Sequence, residues 1–141
     1  MEFSIEEAMR KNHQDLGTDL EKLIKNADIN KEELYREFNN FLGKMRNHFV
    51  TEEQAIFSFY HVESKDNNNL VFELLDQHVK ILSMLEDVEK RINEWNNIDF
   101  SDLRKNIANH VAVENKILYK NLDETLSESE REFVLRKIGE M

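Results

Sequence analysis

Asn47-His48-Phe49-Val50-Thr51-Glu52 carries a histidine and, four residues on, a glutamate; Asn109-His110-Val111-Ala112-Val113-Glu114 repeats the pairing in the second half of the chain. On an α-helix, residues four apart lie about 40° apart around the axis, so each pair aims one imidazole and one carboxylate the same way. Both segments read as helix because apolar residues recur around them at helical spacing. These are Leu34, Phe38, Phe41, Met45 and Ile56 in the first, and Leu103, Ile107, Ile117 and Leu118 in the second. His13 and His78 fall one each on the other two predicted helices. Four imidazoles and two carboxylates spread over four helices suit a binuclear metal site in a bundle core.

The helix starts are marked by a Ser, Asn or Asp followed three residues on by Glu, a pattern that satisfies free N–H groups of the first turn. Ser4 with Glu7 opens a first helix to about Ala27, and Asn30 with Glu33 a second to about His61. Ser64 to Asn69 reads as an Asn-rich turn, followed by a third helix from about Leu70 to Trp95. After a turn at Asn96 to Phe100, either Ser101 or Asp99 caps a fourth helix. Ser127 with Glu130 opens a short fifth helix to the C-terminus. Short turns between long helices force an up-down-up-down order. The expected fold is therefore all-α: a four-helix bundle with a short C-terminal fifth helix, one domain over residues 1–141.

Composition narrows the chemistry. The chain has no Pro and three Gly, so little interrupts its helices. A net charge of −10 without a basic stripe argues against nucleic acid as a partner. With no Cys, any metal site must use nitrogen and oxygen donors. The acidic N-terminus lacks a signal-peptide apolar run, and no stretch reaches the roughly 20 apolar residues of a membrane span. A cytoplasmic protein with no membrane partner is the expectation.

Height along the bundle tests whether the candidate ligands meet. At 1.5 Å per residue from turns near 28, 65 and 98, His13, His48, His78 and His110 all fall roughly 20–35 Å along the bundle, in one mid-height layer. His78 lies among Leu74, Leu75, Ile81 and Leu82, and Glu52 and Glu114 also have apolar neighbours. Buried carboxylates without a cation cost several kcal/mol, and a metal ion supplies the missing charge. His13, beside Asn12, Gln14 and Asp15, would taken alone read as a boundary histidine. His61, roughly 180° around the helix from Glu52, reads as a surface residue. Glu53 reads as solvated, with support of a ligand as the alternative. The aromatic stripe of Phe38, Phe41, Phe49 and Phe59 reads as core.

These residues resemble the hemerythrin-like (HHE cation-binding) family, the bacterial and archaeal single-domain type. The likeness runs from His13 to the final helix and is closest at Asn47 through Phe57 and at Asn109 through Tyr119. It implies a non-haem di-iron centre of two Fe ions joined by an oxo or hydroxo bridge. By the resemblance, Glu52 and Glu114 bridge the irons, His13 and His48 bind one, and His78 and His110 bind the other. Donor chemistry alone leaves Fe, Zn, Ni and Cu open. A structural zinc would need only four ligands, and the Glu-x-x-His motif of ferritin-like sites does not occur.

The oxygen carriers of that family place two histidines four apart on the third helix, where this chain has Leu74 and Leu82 around His78. They close the fourth-helix motif with Asp at longer spacing, where this chain has Glu114 and then Asn115. A set of four His and two Glu is closer to relatives in nitric-oxide stress, iron–sulfur repair and iron sensing. The repair proteins usually carry cysteines, and this chain has none. The function implied is binding or sensing of O2, NO or another small ligand. The alternatives are a di-iron redox enzyme, an iron donor for cluster repair, and an iron-level sensor.

Overall fold

Apolar side chains at three- and four-residue spacing decide which face of each helix turns inward. The computed structural model describes residues 4–28, 30–60, 65–94 and 97–141, with the backbone alone at 65–68. Helix α1 is Ile5–Lys25, α2 Lys31–Thr51, α3 Lys65–Asn93, α4 Ser101–Val113, α5 Tyr119–Thr125 and α6 Glu128–Gly139. No strand occurs among the described residues. α1 packs on α2, α2 on α3, α3 on α4, and α5 returns to α1, so a closed four-helix ring forms, with α5 continuing α4. The short α6 lies against α1. The expected all-α bundle with a short C-terminal helix is what forms. Among the described residues no helix is long and apolar enough to cross a membrane.

The sequence-predicted caps work in three places. The Ser4 side chain accepts from the Glu7 N–H, and Asn30 from Glu32 and Glu33. Ser127 and Glu130 form a reciprocal capping box. α1 gains a tertiary cap as well, since the Asp123 carboxylate accepts from the N–H groups of Ile5 (2.8 Å) and Glu6 (3.1 Å). A carboxylate there satisfies free donors and faces the positive end of the helix dipole. Of the two candidates for capping α4, Asp99 accepts from the Ser101 N–H, and Phe100 takes the cap position in the backbone.

Two expectations need correction. The Asn-rich stretch 65–69 belongs to α3 instead of a turn. It contains neither Pro nor Gly to stop a helix, and Asp and Asn are well suited to a first turn. Nor does α2 run regularly past Thr51: Glu52–Ile56 is a widened π turn, and Phe57–Phe59 a tight 3-10 turn. The fourth helix widens in the same way at Glu114–Leu118. In each case the N–H five residues beyond the glutamate, Phe57 or Tyr119, reaches back to that glutamate's carbonyl. Such turns recur at functional sites. His61, Ser64 and Trp95 lie outside the described residues.

The core is split into two apolar halves. One holds Leu16, Phe38, Met45, Phe49, Ile81 and Leu103; the other Met9, Ile56, Leu74, Leu118, Tyr119 and Val134. Between them along every helix falls a polar layer: His13 between Met9 and Leu16, His78 between Leu74 and Ile81, and the two His–Glu pairs at matching heights on α2 and α4.

Candidate metal centre

The helix period turns His13, His48, His78, His110, Glu52 and Glu114 inward, and all six are buried, both glutamates completely. Every sequence-predicted ligand therefore reaches one layer. Glu52, His78, His110 and Glu114 form one group, and His13, His48 and Glu114 another; within each, one donor atom per residue lies within 4.8 Å of the others. Glu114 is common to both. Its Oε1 stands 3.2 Å from His110 Nε2 and 3.4 Å from His13 Nε2. Glu52 Oε1 stands 2.9 Å from His48 Nε2 and 3.4 Å from His78 Nε2, so it too touches both groups.

The outer edges of the four rings explain this convergence. His48 Nδ1 faces Asn12 Oδ1, His78 Nδ1 faces Glu53 Oε1 at 3.2 Å, His110 Nδ1 faces Gln77 Oε1 at 2.6 Å, and His13 Nδ1 faces Asn115 Oδ1 at 3.2 Å. All four partners are oxygen acceptors, so each neutral ring carries its proton on Nδ1 and donates it outward. The Nε2 lone pairs are left pointing inward. The supports also close a circuit: α1 holds the ring from α2, the π turn after α2 holds the one from α3, α3 holds the one from α4, and the π turn after α4 holds the one from α1. His78 is further confined by Phe49, stacked at 3.9 Å between ring centroids, and by Phe57 at 5.4 Å. Phe49 is thus core, as read from the sequence, and a clamp on a candidate ligand besides.

The layer fits a cation. Among the described residues, Glu52 Oε1 and both Glu114 oxygens are buried without a hydrogen-bond donor. Bare imidazole nitrogens face them, and His78 Nε2 lies 3.1 Å from His110 Nε2. Lone pairs aimed at one another repel, whereas donors about 3 Å apart are what two ligands at right angles on one ion, each about 2.1 Å away, require. Tyr119, fully buried, donates its hydroxyl to Glu52 Oε2 at 3.0 Å and lies 3.3 Å from His13 Nε2. Burial and the Glu52 charge push its phenol well above the usual range, so it stays a donor. Among the described residues, Tyr119 is the hydrogen-bond donor to the fully buried Glu52 carboxylate.

Asn12, Gln77, Asn115 and Tyr119 were not picked out from the sequence as part of the site, and Glu53 only as an alternative. One signal was there. Asn12, Glu53, Gln77 and Asn115 each adjoin a candidate ligand in the chain, and each supports the histidine of the neighbouring helix.

Burial, and then His48, lower His13 from 6.5 to about 4; burial lowers His110 as well. An unfolded chain takes up these protons near pH 6.5, while folded, metal-free protein refuses the His13 proton until about pH 4. The stability contributed by His13 is therefore full above pH 6.5 and lost as the pH falls toward 4, about 3 kcal/mol for a shift of this size. Melting of metal-free protein should fall steadily between pH 7 and 4.5. A midpoint that stays level over that range would show that His13 is protonated in the fold.

No curated protein and no solved structure matches the chain at a significant level. A family model described as the hemerythrin HHE cation-binding domain matches residues 4–122, which takes in all six buried His and Glu residues. With that match over most of its length, the chain belongs to the hemerythrin HHE cation-binding family.

Proposed function

We propose that the chain, as one domain over residues 1–141, is a non-haem di-iron protein that binds or senses an uncharged diatomic ligand, O2 or NO. His13 and His48 would hold one iron, His78 and His110 the other, with Glu52 and Glu114 between them. The carrying observation is the pair of overlapping donor groups that share Glu114. When bound, the iron pair supplies reversible electron exchange with a diatomic ligand. The protein's own part is to keep four Nε2 lone pairs aimed inward, to exclude bulk water with the two apolar core halves, and to hold the Tyr119 proton at Glu52 Oε2. A cavity of about 230 Å³ with almost wholly apolar walls reaches His13, His48 and His110, which suits a small uncharged visitor.

The test is iron per chain on protein from iron-supplemented cells, read beside its visible spectrum with and without azide. Two irons and charge-transfer bands that shift with azide support the reading; no iron, or one zinc with a featureless spectrum, overturns it. The buried carboxylates without donors favour a second reading, an iron-level sensor whose fold depends on the metal. Under that reading O2 and NO leave the spectrum unchanged while chelation dissolves helix. Turnover of NO or peroxide would instead mark a redox enzyme.

A further inference from the structure

The cavity between α1, α2 and α4 has buried histidines at one end and, at its rim, Glu21 from α1 and Arg104 from α4. These two side chains are about half exposed and bonded at 2.7 Å. An ion pair so exposed stabilises a fold little, so stability gives no strong reason for it. Its position does. Arg104 is the one Lys or Arg among the described residues lining the cavity, in a chain of net charge −10. Unpaired, it would draw anions to the mouth; paired, it presents no net charge there. Gly17, one turn before Glu21, also lines the cavity, and a Cβ built on it meets nothing within 4 Å. The wall is thus open where any larger side chain would intrude.

We propose that the Glu21–Arg104 pair is a specificity-determining filter at the mouth of this cavity, which admits uncharged diatomics to the metal layer and gives anions no electrostatic help. The proposal rests on the diatomic-binding reading above. A free arginine at the edge of this apolar cavity would raise the local concentration of any small anion. Glu21 cancels that field.

The experiment is stopped-flow mixing of iron-loaded protein with azide and, separately, with NO, over a range of NaCl concentrations. Glu21→Gln should speed azide association about tenfold at low salt, and the gain should vanish near 1 M, where the Debye length is about 3 Å. Arg104→Gln should slow azide by a similar factor, and NO should change less than about twofold in either variant. Gly17→Leu should slow both ligands and abolish a xenon resonance that wild type and Glu21→Gln retain in 129Xe NMR. That substitution also exchanges a helix glycine for a better helix former, so it should fold. Azide and NO rates indifferent to Glu21 and Arg104 would overturn the filter and leave the diatomic reading standing. A xenon signal unaffected by Gly17→Leu would overturn the cavity as the route. Iron-loaded wild type that binds neither ligand would overturn filter and functional reading together.

Discussion

If the proposed di-iron centre is right, Glu114→Ala is expected to abolish metal retention, and His110→Ala to remove at least the iron assigned to His78. Glu114 is shared by both donor groups, so its loss leaves two incomplete sites; His110 belongs to one group only. Even a supporting residue behind a ligand typically costs 10–100-fold in metal affinity, so loss of a ligand should cost more than about 100-fold. Element analysis after desalting should then find well under one iron per chain for Glu114→Ala, and at most one for His110→Ala. Gln77→Leu, which strips the acceptor from His110 Nδ1, should fall in that 10–100-fold range. His61→Ala is the control, expected to match wild type. If His61→Ala loses as much iron as His110→Ala, the ligand assignment is wrong.

Removing the metal should lower the melting temperature by roughly 10–15 °C. A ligand at a thousand times its Kd stabilises a fold by about 4 kcal/mol, and 1 kcal/mol moves the midpoint of a domain this size by roughly 3–4 °C. Glu114→Leu should reverse the sign of the comparison. Without metal, the wild-type carboxylate is buried with neither oxygen hydrogen-bonded among the described residues, and an apolar side chain of similar bulk avoids that cost. Metal-free Glu114→Leu should therefore melt several degrees above metal-free wild type, and iron should add nothing to it. The measurement is circular dichroism at 222 nm through a thermal ramp, with and without chelator. Should metal-free Glu114→Leu melt lower than metal-free wild type, the carboxylate is compensated within the protein, and the case for a required cation falls.

Much of this site is local chemistry, which is why the sequence disclosed it. Helical periodicity is a property of a dozen neighbouring residues, so His48 and Glu52, or His110 and Glu114, share a face wherever the helices pack. The mid-height layer followed from chain length and rise alone, and the buried carboxylates implied a cation. The caps at Ser4, Asn30 and Ser127 were equally legible, because each is satisfied within a few residues. The misread turn at 65–69 was also local: Asn-rich composition fits a first helical turn as well as a loop, and composition alone does not choose between them.

The sequence by itself determined the all-α bundle and the six buried residues of one layer, since both follow from short-range spacing and the cost of burying charge. Tertiary structure decided what holds those residues. A period of 3.6 places Tyr119 about 140° away from Glu114, yet the π turn at Glu114–Leu118 adds a residue to that turn, and the Tyr119 hydroxyl reaches Glu52 on the opposite side of the site. The circuit of Asn12, Glu53, Gln77 and Asn115 joins residues from 25 to 102 positions apart. The Glu21–Arg104 pair spans 83. Such bonds form or fail on about half an ångström of helix height and a few degrees of rotation, and only the packing of four helices against one another sets these.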